Sequence, residues 1–193
     1  VDFRFSIGYG NEYTDSASRN MLLAQQDVFE SVQWAIENGI ADPECIGIMG
    51  HSYGGFISFY QAAVHPDTYK AVISLMGVWD WTDLGVELTD GAPVPDYHKC
   101  SAPEPYTELA RALSPSSYVD ALKSPILIVY SGKDDAVYPS QNIRAIKELT
   151  EAGNPPRVVY LPMDGHMPGT AESIIETFEA MREFLTERLL EEN

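Results

Sequence analysis

The segment of this chain best suited to do chemistry is Gly50-His51-Ser52-Tyr53-Gly54-Gly55. It follows a short apolar run, CIGIMG (45–50), that reads as a buried strand, and opens a stretch with helical spacing, 53–64. That setting gives a G-x-S-x-G pattern meaning, because a sharp strand-to-helix turn projects the serine hydroxyl from the end of a strand. Small residues at 50 and 54 would let neighbouring backbone come close. The backbone N–H of Tyr53, at the start of the helix, would face a developing oxyanion, with the helix dipole adding to it.

A serine hydroxyl is a weak nucleophile at neutral pH and needs a base. The chain has four histidines: His51, His65, His98 and His166. His51 lies inside the turn itself, so its side chain is expected to point away from Ser52. His65 precedes Pro66 at a helix end, where capping is its expected role. His98 falls in an irregular stretch and stays open as a substrate contact. His166 sits in Asp164-Gly165-His166, after a strand and before the last helix, where α/β sheets keep their chemistry. The base needs an acid to fix its tautomer. Ser131-Gly132-Lys133-Asp134-Asp135-Ala136-Val137 offers two, and spacing alone leaves Asp134 and Asp135 both open. The remaining aspartate would form the turn or cap the helix that begins near Pro139.

The elements that must position these groups alternate along the chain. Strands are expected at 1–5 (VDFRF), 45–50, 71–77, 125–131 and 157–162. Helices are expected at 20–38, 53–64, 139–153 and 172–191, the first with Leu22, Leu23, Val28, Val32, Trp34 and Ile36 near helical spacing. The last would turn Ile174, Ile175, Phe178, Met181, Phe184, Leu185 and Leu189 to one side. This order implies βαβ units and a mostly parallel sheet covered on both faces, an α/β fold of one domain over 1–193. Residues 78–120, with five prolines and one short helical piece (TELARAL), read as an insertion over the active end of the sheet.

Composition narrows the function. With 29 acidic and 12 basic residues, the net charge is −17. That argues against nucleic-acid and anionic-membrane binding, which need basic patches. The excess fits an ordinary acidic surface or adaptation to high salt. No apolar run approaches the ~18 residues of a membrane span, and no signal peptide is visible. Cys45 and Cys100 form no C-x-x-C pair, so zinc and redox motifs are absent. As free thiols they favour a reducing, cytoplasmic setting. Oligomerisation is left open.

Four stretches together resemble the catalytic domain of the prolyl oligopeptidase family of serine peptidases, an α/β-hydrolase group that includes acylaminoacyl and dipeptidyl peptidases. They are Arg4-Phe5-Ser6-Ile7-Gly8-Tyr9-Gly10; the Gly50–Gly55 turn; Ser114-Pro115 leading to Ser124-Pro125-Ile126-Leu127-Ile128; and Gly132–Val137 with Gly165-His166. The similarity runs essentially from end to end. It implies a Ser52–His166–Asp134 triad, because the family's acid is the first residue of D-x-x-V. It also implies an apolar pocket from Tyr53, Val78, Trp81 and Val137, with no metal or organic cofactor. For Trp81, pocket and ordinary packing stand level; for Trp79, packing is expected. The family pattern is broken at Leu84 and Leu88, where proline-specific dipeptidyl peptidases carry further tyrosines, and at Ala136, where they carry asparagine. These departures weigh against post-proline dipeptidyl cleavage.

The resemblance further implies strands ahead of Val1, one ending in an H-G-G-type loop that donates the second oxyanion hydrogen bond. The sequence is therefore expected to be an N-terminally truncated α/β-hydrolase domain, completed by a missing upstream segment of the same protein or by another chain. Peptides or small acyl esters are the expected substrates. An inactive hydrolase-fold module used for binding is the rival of a different class.

Overall fold

The computed structural model describes residues 1–4, 6–16, 21–84 and 107–190. Four strands, β1 (Gly47–His51), β2 (Ala71–Leu75), β3 (Ile126–Ser131) and β4 (Arg157–Leu161), form one parallel sheet in the order β1-β2-β3-β4. Parallel neighbours need long crossovers, and helices supply them. Helix α3 (Tyr53–Val64) links β1 to β2, and α5 (Pro139–Glu151) links β3 to β4. The β2–β3 connection contains α4 (Glu108–Leu113) and a 3₁₀ turn over Pro115–Ala121. Ahead of the sheet lie α1 (Asn11–Ser16) and α2 (Met21–Glu37), and α6 (Ala171–Leu185) follows it. Among the described residues, no helix is long and apolar enough to cross a membrane.

β2 and β3 read as continuous apolar runs because each buries both faces. Val72, Ile126 and Ile128 point into one core with Phe59, Trp79, Leu122 and Leu149. Their alternates Ala71, Ile73, Leu127 and Val129 point into the other, against Met181 and Phe184 of α6. A third cluster, at the carboxyl end of the sheet, gathers Phe56, Val78, Trp81, Leu84, Leu113 and Val137.

Three expectations need correction. Residues 1–4 form no strand. The Phe3 carbonyl accepts from Ser6 N–H in a turn, and Arg4 binds Asp27 of α2 through its backbone N–H and its guanidinium. The period-two pattern is used another way: Phe3 packs near Tyr53, and Arg4 faces α2. On α2, the inward stripe is Met21, Ala24, Gln25 and Val28, continued by Val32 and Ile36, while Leu22 and Trp34 fall off its phase and are exposed. The last helix ends at Leu185 and runs on as a π turn, Thr186–Leu190. It buries Ser173, Thr177, Met181 and Phe184, spaced four, four and three apart, and leaves Ile174, Ile175 and Phe178 exposed. The central part of the 78–120 insertion, residues 85–106 with Leu88, His98 and Cys100, lies outside the described residues.

Candidate active site

The four strands end side by side, and each delivers part of the site. β1 leads into Ser52, β2 into Val78 and Trp81, β3 into Asp134 and Val137, and β4 into His166. In an open α/β sheet this carboxyl edge is where ligands bind.

Ser52 has φ 58 and ψ −116, a left-handed conformation that costs a non-glycine residue about 1–3 kcal/mol. Its N–H donates to the Leu75 carbonyl at 2.8 Å, and its own carbonyl accepts Phe56 N–H in the first turn of α3. The turn is so tight that a methyl on Gly50 would collide with the Gly54 backbone. Gly54 itself faces open space; the second obligatory glycine is Gly55, whose Cβ would lie 2.7 Å from the Cα of Gly77. The backbones of positions 50 and 54 come together as expected, but the glycines this packing requires are Gly50 and Gly55 rather than Gly54.

Ser52, His166 and Asp134 form one continuous hydrogen-bonded chain. The Asp134 oxygens lie 2.9 and 2.8 Å from His166 Nδ1, and His166 Nε2 lies 2.8 Å from Ser52 Oγ. A carboxylate only accepts, so Nδ1 carries the imidazole proton. Nε2 is then a lone pair facing the serine hydroxyl, which donates to it. Asp134 is buried, and its Oδ1 also accepts from the N–H groups of Ala136 and Val137, both at 2.9 Å. Asp135, the other candidate acid, faces solvent.

Burial pushes the Asp134 carboxyl upward. The hydrogen bonds from His166, Val137 and Ala136 together outweigh it, leaving the group below its ordinary value. A lowered carboxylate stabilises the fold fully above the unfolded pKa of about 3.9, and that contribution is lost as pH falls through the depressed folded value. The stability gap between the parent and Asp134→Asn should therefore be present at pH 7 and close towards pH 3, as read by urea melts. A gap constant across that window would contradict the assignment.

Beside the chain lies an apolar wall. Val78, Trp81 and Val137 are buried in the same cluster, with Tyr53 packed against it. The Tyr53 ring lies 6.1 Å from that of Trp81 and 5.3 Å from that of Phe56. Burial raises the Tyr53 phenol above its ordinary value, so it stays neutral. Leu84 joins this cluster. Trp79 instead packs in the core beneath α3, edge-on to Phe59, with its indole N–H on Glu148. His65 occupies the C-cap of α3 and stacks on Phe29 at 3.5 Å.

Two contacts escaped the sequence. His51 Nε2 lies 2.6 Å from the carbonyl oxygen of His166, and the Ser131 hydroxyl donates to the carbonyl of Gly165. The only sequence signal for either was a polar residue closing a strand; β1, read from its apolar run as buried, has no buried residue and leaves Met49 exposed, whereas β3 is buried.

A parallel α/β-hydrolase sheet with a serine on a strained strand-to-helix turn defines the class of this protein. The chain belongs to the prolyl oligopeptidase family, whose sequence profile matches residues 1–192. It is 30% identical to the acylamino-acid-releasing enzyme of Arabidopsis thaliana over 92% of this chain and 24% of that protein. It is 25% identical to dipeptidyl aminopeptidase BIII of Pseudoxanthomonas mexicana over 86% of this chain and 25% of that one. Among solved structures, acylaminoacyl peptidase of Pyrococcus horikoshii superposes with a TM-score of 0.88 at 24% identity, covering 100% of this chain and 32% of its own. A puromycin-hydrolyzing peptidase of Mycobacterium tuberculosis gives 0.87 at 25% identity, covering 100% and 29%. The chain thus spans 24% to 32% of the length of these relatives.

Proposed function

We propose that this chain is the catalytic portion of a serine peptidase that hydrolyses short peptides through an acyl-enzyme. The observation that carries the reading is the unbroken contact from the Ser52 hydroxyl through His166 to the Asp134 carboxylate. Ser52 Oγ attacks the substrate carbonyl while its proton passes to His166 Nε2. Asp134, buried and ionised, stabilises the imidazolium that forms. His166 then gives that proton to the departing amine, the C–N bond breaks, and the acyl group remains on Ser52. Water repeats the sequence from the other side, releasing the acid and restoring the serine.

The Tyr53 N–H supports the tetrahedral oxyanion. An upstream segment of the same polypeptide, or a partner chain, supplies the second donor; losing one such donor costs about 10²–10³ in turnover. The apolar wall of Tyr53, Val78, Trp81 and Val137 holds a bulky apolar side chain of the acyl half. Similarity to proteins named for releasing acylamino acids and dipeptides supports peptides as the substrate class. The exposed free thiol of Cys45 fits a reducing, cytoplasmic setting.

The reading is tested on the full-length protein with a fluorophosphonate probe and a paired substrate panel. Labelling is expected, with aminoacyl or acyl-peptide p-nitroanilides cleaved at higher kcat/KM than their simple alkyl-acyl counterparts. Turnover confined to p-nitrophenyl esters would make the protein a carboxylesterase, and absence of labelling would leave a binding module.

A further inference from the structure

Residues 162–170, which carry His166, run between β4 and α6 without regular structure. The position of the imidazole therefore depends on whatever holds that backbone. Its start is pinned to the turn that follows β3 by Lys133 N–H on the Asp164 carbonyl at 3.0 Å. Its end is pinned by the Asp164 carboxylate, which accepts from Gly169 N–H at 2.6 Å and from the Ser173 hydroxyl at 3.1 Å. Between these, two consecutive carbonyls point back at the sheet. Gly165 accepts from Ser131, at the end of β3 and 1% exposed; His166 accepts from His51, at the end of β1. A carbonyl has no proton to give, so His51 Nε2 must carry one. The two rings then stand 4.7 Å apart, centre to centre.

The geometry points to His51 and Ser131 as a pair of positioning residues that clamp the loop and hold His166 Nε2 on the Ser52 hydroxyl. Neither touches the reacting atoms; they act through the backbone of residues 165 and 166. Two strands separated by β2 are thereby tied to the loop leaving β4. The inference rests on the serine-peptidase reading above, because a clamp matters for rate only if His166 is the base.

Removing a clamp should misplace the base without altering the apolar wall. In the full-length protein, His51→Ala is expected to lower kcat between about tenfold and 10²-fold, the loss typical of small misplacements in an active site, with KM within about twofold. His51→Gln places an amide N–H at the same reach and should recover most of the rate. Ser131→Ala should lose kcat in the same pattern, and the double variant should lose less than the product of the two single losses, because both donors hold one loop. Ser131→Ala carries the same kcat-against-KM test should His51→Ala fail to fold. Full kcat in the folded alanine variants, or glutamine no better than alanine at position 51, overturns the clamp. If Ser52→Ala keeps the activity, the peptidase reading itself has failed; if Ser52→Ala is dead while the clamp variants are fully active, only the clamp has.

Discussion

Replacing Ser52 with alanine is expected to lower turnover by about 10⁶, the scale found when the nucleophile of such a unit is removed. The loss is large because the chain from Ser52 to Asp134 works as one device. Without the hydroxyl, His166 Nε2 has no proton to accept and no acyl-enzyme can form. Substrate affinity should hardly change, since the apolar wall and the Tyr53 N–H are untouched. Fluorophosphonate labelling and steady-state kinetics of the full-length protein check both halves. Labelling of the alanine variant at the parent rate would move the nucleophile elsewhere.

Asp134→Asn should cost about 10⁴ in kcat, by reversing the imidazole tautomer rather than by disturbing the fold. The reason lies in the carboxylate's surroundings. Two backbone N–H groups, from Ala136 and Val137, converge on Oδ1. An asparagine must put its carbonyl oxygen there, and its NH₂ then takes the place of Oδ2, 2.8 Å from His166 Nδ1. The NH₂ repels the Nδ1–H, and the carbonyl oxygen left 2.9 Å from Nδ1 is a weaker, uncharged acceptor already shared with two backbone donors, so the balance shifts to the tautomer with its proton on Nε2, the atom that must receive the serine proton. Asp135→Asn, on a solvent-facing side chain, should change the rate by less than about threefold, the scale of ±0.5 kcal/mol for surface substitutions. Equal losses in the two variants would mean that charge in this turn, and not the orientation of His166, governs the rate.

Much of the architecture was legible because short-range signals agreed with one another. The four sheet strands and the helices between them stand within a few residues of where apolar runs and helical spacing put them. Glycines and prolines marked most of the ends. Period two failed at residues 1–4 because an alternating pattern promises a strand only where a neighbour accepts its hydrogen bonds; here a turn and Asp27 took them instead. The face of α6 was misjudged for a related reason. Ile174, Ile175 and Phe178 are as apolar as Met181 and Phe184, and only the seat of the helix on β2, β3 and β4 decides which of them is covered.

Residue types and their order determined that a serine on a tight turn, an imidazole and a pair of aspartates would follow the ends of successive strands. This much is written locally, in the glycines around Ser52 and in the apolar runs before each loop. Which aspartate meets the imidazole, and what keeps the imidazole there, was decided in three dimensions. Asp134 is turned inward by two backbone donors while Asp135 is turned out. His51 and Ser131 reach a loop 115 and 34 residues further along the chain. Contacts across such separations depend on strand order and register, which bring distant carbonyls beside a side chain whose own neighbours in sequence give no sign of them.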